Sequence, residues 1–156
     1  MSDLLAGTPI TALDTPPTVS DAEAGEFTFN DTVFGLDADT GTYVDCGVAF
    51  VAPTTGRVKI HHGARVGNNT ATAATEVTPV VRTGSTVGAG SAIVAASSNN
   101  AVRSGGTTLV TAVRAGSPLL VPGLTPGDVY NVRLEHRVSG GIGTAGLRHV
   151  TVEPAT

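Results

Sequence analysis

From residue 26 to the end of the chain, apolar and polar side chains alternate in short runs, and each run is stopped by glycine, proline, serine or asparagine. Segment 57–66 shows this most clearly: Val58, Ile60, His62, Ala64 and Val66 fall on one side, and Arg57, Lys59, His61 and Arg65 on the other. A repeat of two residues is the repeat of a β-strand, whose successive side chains leave opposite faces, so this segment reads as a strand with one face in a core. Similar β-favouring runs predict strands at 26–34, 43–51, 75–82, 91–96, 107–114, 117–121, 129–138 and 147–153. The stretches between them are built from turn formers, for example Pro53-Thr54-Thr55-Gly56 and Ser104-Gly105-Gly106. No segment carries a convincing helical period and no unit repeats at a fixed length, which excludes solenoids and propellers. The expected fold is all-β, a jelly-roll-like β-sandwich of about eight strands.

The first residues read differently. Residues 1–24 carry Pro9, Pro16 and Pro17 and space their apolar groups, Leu4, Leu5, Ile10, Leu13 and Val19, without a helical pattern. Proline fixes φ and removes a backbone donor, so this segment is expected to be an extended arm, with the sandwich at 25–156. An extended arm with apolar residues at intervals is suited to docking on another surface. The eight residues named form its expected contact set.

Composition narrows the function. Hydrophobic residues are 40% of the chain and charged ones 14%, which is not the composition of a disordered protein. The net charge of −4 argues against a nucleic-acid partner, because phosphate binding needs a basic face. Charge is also segregated. Residues 1–56 hold nine acids and no Lys or Arg, whereas residues 57–156 hold all nine bases against Glu76, Asp128, Glu135 and Glu153. An acidic N-terminal section could therefore lie against a basic body, its own or a neighbour's; the alternative is scattered solvated charge. Cys46 is the single cysteine and sits in a strand-like run with no base beside it, so a buried, inert thiol is expected. With no apolar stretch near the roughly 18 residues that cross a bilayer, the chain reads as a product kept in the cytosol, without membrane insertion.

Few residues suggest chemistry. Asp39-Thr40-Gly41 matches the triplet around an aspartic protease carboxylate, but a second such carboxylate is required and the setting is that of a turn. Asp37-Ala38-Asp39-Thr40-Gly41 resembles the start of a calcium loop but lacks a third ligand before the glycine and the closing glutamate, for which Asp45 is the available substitute; a surface turn is the favoured reading. His61 and His62 point to opposite faces. A zinc site of His62, His136 and His149 is the metal alternative to ordinary structural histidines, which are favoured. Asn68-Asn69-Thr70 fits the glycosylation pattern and is read as a plain loop. No nucleophile elbow, phosphate loop or cysteine cluster occurs, so no catalytic residue, metal or cofactor is assigned and the chain is expected not to be an enzyme.

Two blocks carry a family likeness. The run from Cys46 through Pro53 to Val58, the block Gly123-Leu124-Thr125-Pro126-Gly127-Asp128-Val129-Tyr130 with its continuation to Arg137, and the proline-bearing leader resemble small virion proteins of actinobacterial tailed phages, of the decoration or minor tail kind. The spacing is also similar to the trimeric jelly rolls of the tumour necrosis factor and complement superfamily, although the aromatic residues that line the trimer axis there are few here. This resemblance implies a homotrimeric structural protein on the virion surface, assembled in the host cytoplasm. Its partners would be other copies of itself and the major capsid protein or tail subunits, gripped by the arm. The alternative is an adhesion module at a fibre or tail tip, binding a host surface or glycan through loops 66–75, 83–90 and 139–146, with Asn68, Asn69, Ser85, Ser139 and Ile142 as the exposed candidates.

Overall fold

A computed structural model describes residues 14–104 and 113–156. Among these, ten strands follow one another: β1 (Val19–Glu23), β2 (Phe27–Phe29), β3 (Gly47–Val51), β4 (Val58–Asn68), β5 (Thr75–Thr83), β6 (Ala92–Val94), β7 (Val102–Arg103), β8 (Val113–Val121), β9 (Val129–Val138) and β10 (Gly143–Pro154). Ser98–Asn100 forms a single 3-10 turn, and the described residues contain no α-helix.

Every strand pairing is antiparallel, and the pairings are nested. β1 and β2 lie along β10, β3 along β9, β4 along β8, and β5 along β6 and β7. A chain paired first against last and then inward is one long hairpin. Rolled up so that β10 also meets β4 and β9 also meets β5, it becomes two five-stranded sheets, β1/β2-β10-β4-β8 and β3-β9-β5-β6/β7. This strand order is that of a jelly roll, as the alternation predicted.

The alternating residues face where the repeat of two puts them. Val58, Ile60, His62, Ala64 and Val66 of β4 are buried, while Lys59, His61 and Arg65 are half-exposed. On the facing sheet, Tyr130, Val132, Leu134, His136 and Val138 of β9 turn inward. Phe27, Phe29 and Phe50 fill the remaining space, and each such side chain, once buried, stabilises the fold by about 1.5–3 kcal/mol. Cys46 is fully buried, and burial, the largest influence on it, pushes its thiol up to about 12. It is the inert core thiol expected.

Several boundaries differ from the expected ones. Val19–Glu23, read as the last part of the arm, is edge strand β1, with Val19 opposite Val152 and Glu23 opposite Arg148. Its alternation of half-buried and exposed residues is genuine but short, and the prolines before it masked it. The Asp21 carboxylate accepts a hydrogen bond from the Gly47 N–H at 2.9 Å, tying β1 of one sheet to the edge strand β3 of the other. The sandwich therefore starts at Val19 and not at residue 25. Run 26–34 yields only β2, and run 43–51 only β3, because Tyr43 and Cys46 turn into the core. The two runs around residue 115 belong to one strand, β8; Gly116, which reads as a turn former, stands opposite Gly63. A Cβ on Gly116 would lie 3.3 Å from the His62 carbonyl, so the glycine serves a close strand approach. Residues 107–112 of the expected run 107–114 lie outside the described residues.

Candidate functional site

The two ends of the sandwich are built differently. Val51, Val58, Thr83, Val121, Val129 and Pro154 mark one end, and Asn68, Thr75, Val138 and Gly143 the other. At the first, the root end, Pro16 and Pro17 lie beside Phe50, Val51, Val58, Val152, Glu153 and Pro154. Val19 is partly buried against the core. Three of the arm residues named from the sequence, Pro16, Pro17 and Val19, thus rest on the body of their own chain. Leu4, Leu5, Pro9, Ile10 and Leu13 lie outside the described residues.

At the opposite, loop end, connections 69–74 and 139–142 are laced together. Asn68, only 8% exposed, donates to the Gly140 carbonyl at 3.0 Å and to Thr75 Oγ1 at 3.3 Å, and its Oδ1 accepts from the Thr70 N–H at 2.9 Å. Asn69 Oδ1 accepts from the Ile142 N–H at 2.8 Å, and Ser139 Oγ from the Ala74 N–H at 2.8 Å. Four of the five expected loop residues, Asn68, Asn69, Ser139 and Ile142, therefore form one cluster, from which Ile142 projects. An amide spent on buried hydrogen bonds is not presented as a glycosylation acceptor, which agrees with reading that triplet as a plain loop.

Ser85 does not join them. Its loop sits at the root end, where the Gly84 N–H donates to the Val129 carbonyl at 2.9 Å. Asn131 holds this loop down. Its fully buried amide accepts from the Gly88 N–H at 2.9 Å and donates to the carbonyls of Gly84 at 2.9 Å, Ala89 at 3.2 Å and Thr83 at 3.4 Å. The glycine-rich loop is a cover pinned over the outer face of one sheet. No sequence signal marked Asn131, because a polar residue on the outward side of a strand ordinarily faces water.

The outer face of the same sheet carries a paired charge layer. Glu76, 1% exposed, accepts from Arg137 Nε at 2.8 Å and Ser98 Oγ at 2.8 Å, with Arg103 Nε at 3.4 Å. Burial, the largest influence, would raise the Glu76 carboxyl, but the hydrogen bonds from Arg137 and Ser98 and the charges of Arg137 and Arg103 together hold it below the usual range. Glu135 pairs with Arg82 at 3.1 Å and Arg133 at 3.3 Å. Acids of the first section meet bases of the second where Glu26 pairs with Arg65 and Asp45 with Arg133.

The histidines do not converge. His61 faces out, its Nε2 2.9 Å from Glu153 Oε1. His62 faces the core with neither ring nitrogen in a well-aligned hydrogen bond among the described residues, and burial pushes its pKa down to about 4. His136 lies among Phe27, Phe29 and Tyr43, with Nε2 2.7 Å from the Asp37 carbonyl. The described residues hold no group of three or more metal-ligating side chains. Asp37 and Asp39 are exposed on an irregular segment that runs beside β2, where the Asp39 N–H donates to the Thr28 carbonyl at 2.8 Å, Thr40 bridges Thr28 and Gly41 takes φ 89°. Asp39-Thr40-Gly41 is thus a surface bend bridged to β2 and not the hairpin turn expected. Arg148 was not foreseen as a core residue: a β-bulge after Gly146 flips Leu147 outward and Arg148 inward, and a glycine inside a strand pattern was the one available hint.

Fold and surfaces together define a jelly-roll β-sandwich with Pro16 and Pro17 at one end and a hydrogen-bonded loop cluster at the other. No family model and no curated protein matches the sequence. Among solved structures, the chain is similar to one of infectious bursal disease virus Gt strain, with a TM-score of 0.49 and 9% identity over 90% of this chain and 34% of that one. The Gx strain structure gives 0.47 and 13% identity over 87% of this chain and 30% of the other. Eiger TNF from S. frugiperda gives 0.46 and 6% identity over 90% and 94%. The chain thus spans about a third of the length of the two viral chains.

Proposed function

We propose that the protein is a non-enzymatic structural component of a tailed-phage virion, a homotrimeric decoration protein held to the capsid or tail by its N-terminal segment. The observation that carries this reading is the separation of ends. Pro16 and Pro17 lead into the sandwich at the root end, while the cluster of Asn68, Asn69, Ser139 and Ile142 lies at the far one. Anchoring at the first leaves the second facing outward. Jelly rolls serve capsids and lectins alike, and the sequence resemblance to phage virion proteins favours the former. The adhesion alternative draws on the loop cluster alone, and Ser85 has no part in that surface.

The test is a chain that starts at Asp14, which spares β1. It is expected to keep its β-type circular dichroism and a mass by light scattering of three times that of the shortened chain, itself lighter than the 15.6 kDa of the full one. It should fail to co-sediment with particles assembled without the protein, which the full chain should decorate. Undiminished decoration overturns the anchoring role, and a monomeric mass overturns the trimer. Binding of the truncated body to host cells or a glycan array, with decoration lost, moves the reading to adhesion.

A further inference from the structure

Nested pairing turns a division of charge along the chain into a division in space. β1, β2 and β3 form one lateral side of the sandwich, where the Asp21 carboxylate ties β1 to β3, and β6, β7 and β8 form the other. Residues 19–51, which build the first side, contain acids and no Lys or Arg; residues 92–121, which build the second, contain Arg103 and Arg114 and no acid. Much of this charge is left over within the chain. Asp37, Asp39 and Asp45 are exposed on the acidic side; Asp37 and Asp39 have no ion-pair partner among the described residues, and Asp45 reaches Arg133 only at 3.9 Å. On the basic side Arg103, 58% exposed, stands 3.4 Å from a Glu76 carboxylate that Arg137 holds more closely at 2.8 Å. Arg114 lies on edge strand β8 opposite Arg65, and like charges so placed are unfavourable without a counter-charge from elsewhere.

The two charged sides also stand at one height. Gly35 bridges to His136, which lies opposite Val77, itself opposite Val102, the neighbour of Arg103. In the other sheet Thr40 bridges to Thr28, which lies opposite Thr144 and so in line with Gly67, about 7 Å along the strand from the Arg65–Arg114 pair. Asp37 and Asp39 fall between Gly35 and Thr40, so they share the loop half of the sandwich with Arg103 and Arg114. We propose that copies of the chain associate side to side, the Asp37–Asp39 side of one against the Arg103–Arg114 side of the next, an arrangement that rests on the homotrimer proposed above and names its contact. Such a contact is heterologous, and with no rise from copy to copy its repetition closes a ring instead of an open helix. Every copy then keeps the same end up, with the loop clusters on one side of the ring and Pro16 and Pro17 on the other. Exposed Val33 and Val44 on the acidic side and Ile93 on the basic one supply apolar area, while the charges fix the partner and the register.

Sedimentation velocity of the full chain over a series of protein concentrations at low salt tests this. Asp37→Arg with Asp39→Arg, and separately Arg103→Gln with Arg114→Glu, should each raise the half-dissociation concentration by roughly tenfold or more. A chain carrying all four changes should recover much of the affinity, because its charges are exchanged between the sides; damage to the fold would not be rescued in this way. Association unchanged in both double variants, or lost in them without recovery in the fourfold chain, overturns the contact and leaves the trimer standing. A full chain that is monomeric at every concentration fails the homotrimer reading and the contact with it. Should the arginine variants fail to fold, cross-linking decides, since Asn99 is exposed beside β7 and the native thiol of Cys46 is buried and inert. With a short bis-maleimide, Asp39→Cys together with Asn99→Cys should yield a covalent trimer and Asp39→Cys alone no linked species. Linking of Asp39→Cys to itself, or no linking in the double variant, overturns the proposal.

Discussion

Replacing His62 by leucine should make the protein markedly more resistant to acid. The ring of His62 is 1% exposed between the sheets, and among the described residues neither nitrogen makes a well-aligned hydrogen bond, the Asn100 backbone giving only a weak one. Burial lowers its pKa from 6.5 to about 4, opposed by the nearby Asn100 backbone and reinforced by His149 and His61. Because the folded value is the depressed one, the unfolded chain takes up the proton first. The stability carried by the neutral ring is whole above pH 6.5, falls as the pH drops below it, and is gone below pH 4. Integrated from pH 7.5 to 4, the proton linkage amounts to about 3 kcal/mol, or roughly 6–12 °C in Tm for a chain of this length. Leucine has a similar volume and no polar atoms, so His62→Leu should be about 1–3 kcal/mol more stable at pH 7.5 through relief of the orphaned nitrogens, and its lead should widen by about 3 kcal/mol at pH 4. Urea unfolding of both chains, followed by circular dichroism at one protein concentration and four pH values, measures this. Other titrating groups, Glu76 among them, cancel in the difference. Parallel pH profiles for the two chains would refute the reasoning, since they require a ring that is solvated or hydrogen-bonded.

Two further outcomes follow from the packing. Asn131→Ala removes four hydrogen bonds that pin the 83–91 loop, and should cost about 2–4 kcal/mol and open that loop to limited proteolysis while far-UV circular dichroism stays β-type; an uncleaved loop would show that it is held by other means. Gly47→Ala places a Cβ against the Val132 carbonyl and 2.8 Å from Val87 Cγ1. Backbone cannot yield there as a flexible side chain does, so the denaturation midpoint should fall by an amount equivalent to about 2–4 kcal/mol, and an unchanged midpoint contradicts the close approach of β3 and β9.

How much was legible in the sequence varies by residue. The β4 alternation from Val58 to Val66 could be read directly, because a repeat of two is written into neighbouring residues and needs no knowledge of partners. Asn68, Asn69, Ser139 and Ile142 were recognisable as loop residues, but nothing local distinguished their end of the molecule from that of Ser85. β1 was hidden because its strand character comes from pairing with β10, and no five-residue segment reports what lies beside it. Asn131 and Arg148 acquired their roles in the same way.

The sequence by itself determined that the chain is built from strands, which side of β4 faces inward, and that Cys46 is a core thiol. Tertiary structure alone decided the nested pairing of strands far apart in the chain, the assignment of Val19–Glu23 to the body, the covering of one sheet by the glycine-rich loop, and the burial of the Arg148 guanidinium. The reason is one of range: side-chain alternation is a property of adjacent residues, whereas register, end-to-end polarity and the environment of a buried charge depend on contacts that exist only once distant segments have met.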